Sequence, residues 1–331
     1  MRVLQVMRRP SSFYYSIENV FSAIKPFFSR TKIDTVEVSK IGINWVNLFG
    51  LLKYRSKFDV FHVTGDVHYT VFAFPRKKVV LTIHDCIFLQ TYSGIKRYLL
   101  KKILLDWPVK YAGRITTISE KSKNEILAAT KCDPNKIVVI PNPVKNCFVA
   151  THKSFNVDRP RILFLGKTPN KNLDRVIVAL RGVSCVLNIV GKPSDEQLAL
   201  LKSYEVEVII ESFLTEKELA ERYVLADLVL FPSYYEGFGL PILEAFKSDR
   251  VVITSDIDPM KSVAAGGAYL VNPFDANSIC DAVREIAGNE ELRNKLIHRG
   301  REVVKRYDPS IIASRYEQVY LNAGGDIDDE A

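Results

Sequence analysis

No stretch of this 331-residue chain reaches the roughly 18 consecutive apolar residues of a membrane-spanning helix. Met1–Tyr15 carries arginines where a secretory leader needs its apolar segment, so a cytoplasmic protein is expected. The five cysteines (Cys86, Cys132, Cys147, Cys185, Cys280) have neither pairing nor metal-ligand spacing, which argues against a disulfide scaffold or a zinc site and for reduced thiols. There is no G-x-G-x-x-G after the first apolar run, where Met7 leads into Arg8, Arg9 and Pro10, so a nicotinamide dehydrogenase loses its main support. Gly166-Lys167-Thr168 looks like the end of a P-loop, but Arg161 stands where the first glycine is needed, and ATPase chemistry is rejected. Asp256-Ile257-Asp258 has the spacing of a metal-binding pair, yet after an apolar run it reads better as a capped loop. Short repeats and low-complexity segments are lacking too.

What is present is an ordinary globular composition, 47% apolar and 25% charged, with an uneven charge distribution. Residues 1–150 carry 24 Lys plus Arg against 10 Asp plus Glu, a net of +14; residues 151–331 carry 22 against 28, a net of −6. The basic half suits an anionic partner: lipid headgroups, nucleic acid or a polyanionic substrate. Nucleic acid has no further support, because neither a recognised motif nor interleaved aromatic platforms accompany the charge.

Apolar runs alternate with helical patterns along almost the whole chain: Val3–Met7, Thr35–Val38, Val60–Val63, Val79–Ile83, Ile115–Ile118 and Ile137–Ile140, then Ile162–Leu165, Val186–Val190, Val206–Ile210, Leu228–Phe231, Val251–Thr254 and Tyr269–Val271. This is the pattern of βαβ units and parallel sheets. The polar stretch Lys145–Pro160 reads as a linker, so the expectation is an α/β chain of two doubly wound, Rossmann-like domains, 1–150 and 151–310, with ligands beyond the strand C-termini. The acidic, glycine-led tail 326–331 is expected to be disordered.

The stretch Leu228–Phe246, LVLFPSYYEGFGLPILEAF, carries the chemistry. A buried strand ends at Pro232; Gly237 and Gly239 allow a sharp turn and close approach to a ligand; Pro241 suits a first helical position. Glu236 lies on the loop, and Glu244 is placed in the first helical turn, where amides and the positive dipole end favour an anion. Taken alone, Glu244 could equally complement the dipole and Glu236 be a solvated loop residue. Between Tyr92 and Tyr111 a basic amphipathic helix is expected, with Ile95, Tyr98, Leu99 and Ile103 beside Lys96, Arg97, Lys101 and Lys102. It could lie on an anionic leaflet or pack on the sheet with solvated lysines.

Glu236 and Glu244, bracketing Gly-Phe-Gly-Leu-Pro, closely resemble the motif of the family 4 retaining glycosyltransferases, whose architecture is GT-B. In the order that family shows, Phe164–Leu173 resembles its strand and basic phosphate loop, Ser212–Leu219 the segment closing over the nucleotide base, and Thr82-Ile83-His84-Asp85 its strand-end histidine; Ile118-Ser119-Glu120 and Pro141-Asn142 match weaker landmarks. The resemblance implies two domains facing each other across a cleft and a last helix, from about Ile311 to 325, crossing back to complete the first domain. It implies a sugar moved from a nucleotide-sugar, itself a substrate, with no cofactor and no metal, to a saccharide or lipid-linked saccharide, with the anomeric configuration retained and no carboxylate nucleophile.

The implied roles are Glu244 on the ribose hydroxyls and Glu236 on the donor sugar, with Gly237, Phe238, Gly239 and Leu240 along sugar and diphosphate and Leu214 by the base. Lys167 and Lys171 would neutralise the leaving diphosphate, and His84 would point at the transferred sugar, though a hydrogen-bonded structural histidine is an equal reading of that residue. Arg8, Arg9 and Ser11 replace a glycine-rich loop on the acceptor side, and Lys261 and Ser262 replace a Pro-Glu pair, so the acceptor stays open. The inner face of the membrane is the candidate anionic surface. A catalytically silent nucleotide-sugar-binding module is the alternative to an enzyme.

Overall fold

The computed structural model describes residues 1–9, 16–39, 44–166 and 168–324, with 16–19 and 90 by backbone alone. The chain divides into two compact units: Met1–Pro143 together with the stretch from Pro309, and Val144–Asp308.

In the first unit, strands β1 (Arg2–Arg8), β2 (Lys32–Val38), β3 (Val60–Val63), β4 (Val79–Ile83), β5 (Arg114–Thr117) and β6 (Ile137–Val139) form a parallel sheet in the order β2-β1-β3-β4-β5-β6. In the second unit, β7 (Arg161–Leu165), β8 (Val186–Val190), β9 (Val208–Glu211), β10 (Leu228–Phe231), β11 (Val251–Ser255) and β12 (Tyr269–Val271) form another, in the order β12-β11-β10-β7-β8-β9. Central strands covered on both faces are mostly apolar, and β3, β4 and β10 are buried at every position, with His62 in β3 and Thr82 in β4 as hydrogen-bonded exceptions. Each order reverses once, between β1 and β3 in the first unit and between β7 and β10 in the second, which opens a crevice at those strand C-termini.

The C-terminal helix Pro309–Gly324 belongs to the first unit and buries Ile312, Ala313, Tyr316, Val319 and Tyr320 against Val3, Phe21, Ile24, Val60 and Val80. A chain of polar side chains fixes it. The Tyr320 hydroxyl meets His62 Nδ1 at 2.8 Å, His62 Nε2 meets Thr82 Oγ1 at 2.6 Å, and Thr82 meets Thr116 at 2.6 Å. Burial pushes the His62 imidazole down to about 3, so it stays neutral. Glu317 adds a second anchor, accepting from the Arg30 backbone N–H at 2.7 Å and from Ser29.

The helix expected between Tyr92 and Tyr111 is present as one continuous helical run, Gly94 to Tyr111, but it carries a π-helical turn that was not expected. It runs as Gly94–Lys101, then a π-helical turn Lys102–Asp106, then Trp107–Tyr111. The cause is Pro108, which has no N–H to offer the Leu104 carbonyl four residues back. The Trp107 N–H reaches instead to Lys102 O, and Leu104 O accepts from His68 Nδ1. Two of the four cations expected on this helix are spent on one carboxylate: Lys101 and Lys102 both pair with Asp106, at 2.7 and 2.9 Å. A helix not singled out from the sequence, Trp45–Leu52, lies between β2 and β3. The tail from residue 325 onward lies outside the described residues.

Candidate active site

In the second unit the loops after β7 and β10 meet at the crevice where the strand order reverses. Gly166, at φ +126°, leaves β7; a Cβ there would stand 2.4 Å from the Lys171 side chain, so only glycine lets Lys171 fold back over the strand end. Lys171 Nζ donates to Glu236 Oε1 at 2.7 Å and sits 4.8 Å from the Phe231 ring centroid. Two asparagines lace the loops together. Asn170 Nδ2 donates to Tyr235 O at 2.8 Å, and Tyr234 N–H returns a bond to Asn170 O. Asn172, in the left-handed region at φ 70°, donates to Pro232 O at 2.9 Å and to Pro273 O at 2.6 Å while accepting from Arg175. Lys167 lies outside the described residues.

After β10 the chain passes the half-buried Glu236 and the buried Phe238, whose ring meets Tyr307 edge-on, and turns at Gly239 with φ +117° into the helix Leu240–Lys247. Pro241 occupies the first turn of that helix, where its missing N–H costs nothing. Glu244 departs from expectation: it stands in the second turn, and no acidic residue occupies the first. Its partner is therefore a side chain rather than the free amides. The Tyr223 hydroxyl donates to Glu244 Oε2 at 2.6 Å. Burial raises the Glu244 carboxyl above its ordinary range, against the opposing pull of Tyr223, Lys145 and Lys171. Sequence reasoning missed Tyr223, because it sits 21 residues away on the helix Glu216–Leu225 and only the fold brings it near.

Beyond β9, Phe213 is 97% exposed at φ 59°, Leu214 is half-buried, and Thr215 and Glu218 form a reciprocal cap on the helix Glu216–Leu225. Lys145 pairs with Glu216 beside this cap, and both lie close enough to Glu244 to act on its charge. Asp256 and Asp258 are also engaged. Asp256 pairs with Lys261 at 2.8 Å, and Asp258 accepts from the Ser262 backbone and hydroxyl, so the two residues that replace the family's Pro-Glu pair serve the loop.

In the first unit a cavity of about 550 Å³ opens at the ends of β3 and β4. One part is polar, with Gly65, Asp66, His68, His84 and Asp85; the rest is mainly apolar, with Ile87, Phe88, Leu100, Ile103 and Leu104, but also carries Tyr69, Tyr92 and the cation Lys96. His84 Nε2 is shut off from solvent and has no hydrogen-bond partner among the described residues. Burial holds the imidazole at about 4, so it is neutral at physiological pH. The carbonyl at Leu104 can only accept, so His68 carries its proton on Nδ1, and burial likewise lowers its pKa. Asp85 caps the Ile87 N–H and is raised by burial. Arg8 is buried and spends its charge on Asp66 at 2.8 Å, whereas Arg9 is exposed and extends the sheet through a backbone bond to Val38 O at 2.8 Å. Ser11 lies outside the described residues.

Two family models match the chain: "Glycosyltransferase Family 4" over residues 26–145 and "Glycosyl transferases group 1" over residues 150–303. Phosphatidyl-myo-inositol mannosyltransferase of Mycobacterium leprae (strain TN) is 30% identical over 259 residues, which are 73% of this chain and 66% of that protein. This chain thus spans about two thirds of that relative's length. O-antigen chain mannosyltransferase RfbU of Salmonella typhimurium is 29% identical over 273 residues, 80% of this chain and 73% of that protein. Among solved structures, Anabaena HepE in complex with UDP and glucose superposes with a TM-score of 0.77 at 13% identity, covering 96% of this chain and 99% of that one, which speaks to the fold alone. With both halves matched in order and both sheets in place, the chain belongs to the family 4, group 1 glycosyltransferases and has their two-domain GT-B fold.

Proposed function

We propose that this glycosyltransferase moves a hexosyl group from a nucleotide-sugar to a saccharide or lipid-linked saccharide acceptor with retention of anomeric configuration and without a metal. The Lys171–Glu236 pair at 2.7 Å, held at the β7/β10 crevice beside the N-terminus of the helix Leu240–Lys247, carries this reading. A departing diphosphate develops negative charge, and a fixed ammonium together with helical amides stabilises it without a divalent ion. Glu236, neutralised by Lys171, is placed to accept hydroxyls of the donor sugar rather than to attack carbon. Glu244, already oriented by Tyr223, accepts ribose hydroxyls.

We assign the acceptor to the cavity of the first unit, which the neutral His84 lines. Two matched relatives are named mannosyltransferases, one acting on a phosphatidylinositol, so a mannosyl donor and a lipid-linked acceptor head the order of testing. The experiment is turnover of a panel of nucleotide-sugars, with NMR of the product anomer and with a metal chelator present. Glu236→Ala is expected to lower kcat at least about 100-fold in a folded protein. Undiminished turnover in that variant would refute the site; an inverted product or dependence on metal would refute the mechanism. Nucleoside diphosphate binding with neither transfer nor slow donor hydrolysis would leave a silent binding module.

A further inference from the structure

The helix Trp45–Leu52 is turned the wrong way for a helix of a water-soluble unit. Its inward side is fixed: Leu51 is buried, Leu48 packs against the core, and Asn47 Nδ2 donates to the Tyr69 hydroxyl at 2.7 Å and to Ser39 O at 3.1 Å. Its outward side consists of Trp45 (67% exposed), Val46 (76%), Phe49 (68%) and Leu52. At 100° per residue these four fall within one arc of the wheel, so they make a continuous apolar face. The N-terminus is capped by Asn44, whose side chain accepts from Val46 N–H at 2.9 Å. The face is therefore a built surface on a well-anchored helix.

The surroundings specify what covers it. No acidic residue occurs between Trp45 and Phe58, and exposed Lys53, Arg55 and Lys57 follow the helix directly. The chain has only two tryptophans, and the other, Trp107, is also exposed, at 53%, in a groove with Phe72, Arg76, Lys110 and Tyr111. The 3-10 segment His68–Ala73 packs against both the Trp45 helix and this groove, so the two aromatic sites belong to one region of the first unit. A second copy of the chain is a poor occupant, because residues 1–150 carry a net +14 and would repel their like. A bilayer with anionic headgroups answers both features: indole rings favour the interface, and cations are drawn to the leaflet. Eight residues rise only about 12 Å, far short of the hydrocarbon core, so the helix would lie in the plane of the interface.

We propose that the helix Trp45–Leu52 is a membrane-docking element that inserts Trp45, Val46, Phe49 and Leu52 into an anionic phospholipid surface while Lys53, Arg55 and Lys57 meet the headgroups. Its cations are Lys53, Arg55 and Lys57 rather than Lys101 and Lys102, which are held by Asp106. It is also independent of the transfer reading, since its test needs no turnover.

The full chain is mixed with vesicles of equal parts phosphatidylglycerol and phosphatidylcholine, and with phosphatidylcholine alone. Binding is expected to the first and to be at least about tenfold weaker to the second. Trp45→Ser/Phe49→Ser is expected to reduce binding to the anionic vesicles at least about tenfold. In Trp107→Phe, Trp45 is the only tryptophan, and its emission should shift to the blue and be quenched by brominated lipid. That readout keeps the test open if the double variant fails to fold. Absence of vesicle binding, binding unchanged in the double variant, or Trp45 emission indifferent to vesicles would each overturn the proposal. So would concentration-dependent self-association, seen by sedimentation without lipid, that the double variant abolishes, because a second copy would then cover the face.

Discussion

The two units place different chemistry beyond the strand C-termini of two similar parallel sheets. At its strand ends the first unit places His68 and His84, both with pKa values lowered by burial, beside a largely apolar cavity. The Arg8–Asp66 pair there spends the charge of a buried arginine. The second unit gathers a lysine–glutamate pair, a helix N-terminus and a glutamate raised by burial. The second unit's pair sits at the order reversal of its sheet, and the first unit's cavity opens one strand away from its own reversal, at β3 and β4. What lines the crevice is a separate choice, made by a few residues after each strand. One lining is suited to fixed charge and the other to hydroxyls and apolar groups, which is the division a transfer from a nucleotide-sugar requires.

The sharpest way to break the comparison is to remove charge from the charged side. Lys171→Met should lower kcat about 1,000-fold, some 4 kcal/mol, if its ammonium meets charge that develops only as the diphosphate departs. Thermal unfolding and nucleoside diphosphate titration would accompany the kinetics. A loss confined to KM would make Lys171 a ground-state binder and erase the proposed asymmetry.

The next test acts on the neutral side through pH. His62 has a folded pKa of about 3 against an ordinary 6.5, so its contribution to stability is fully present above pH 6.5 and is lost as pH falls from there toward 3. Between pH 6.5 and pH 4 the first unit should lose about 3 kcal/mol from this residue alone. His62→Gln, which can still pair with Tyr320 and Thr82, should flatten that slope. Urea unfolding with hydrogen exchange resolved to β3 and β4 would measure it, and a wild-type profile flat over that interval would show that the buried histidines cost nothing in acid.

Much of this was legible in the sequence for a physical reason. Strands buried on both faces are apolar along most of their length, and all twelve runs read as strands are strands within three residues at each end. The glycine loop was legible because positive φ at Gly239 and the close approach of Lys171 to Gly166 have few solutions other than glycine. Side-chain partnerships across long separations were not. Tyr223 with Glu244, Arg8 with Asp66 and the two lacing asparagines depend on which loops the sheet order brings together. The helix Trp45–Leu52 was not read because a short run with apolar residues on both its buried and its exposed sides lacks the polar face that marks a surface helix. The helix expected between Tyr92 and Tyr111 is there, and its π-helical turn was readable from Pro108, which leaves the Leu104 carbonyl without its N–H.

The smallest expected effect separates function from stability within the charged side itself. Burial raises the folded pKa of Glu244, so above that raised value the native state carries a penalty for holding the carboxylate charged. The penalty is relieved as pH falls toward the ordinary value of 4.5, because the folded protein then binds the proton more readily than the unfolded chain. Glu244→Gln keeps an acceptor for the Tyr223 hydroxyl and removes the charge. It should therefore raise stability at pH 7 by about 1 kcal/mol, with the gain shrinking toward pH 5, while turnover falls. Thermal melting at the two pH values, paired with the turnover assay, checks both halves. A variant less stable at pH 7 would mean that the carboxylate earns its place by anchoring Tyr223, and the ribose role would then need evidence of its own.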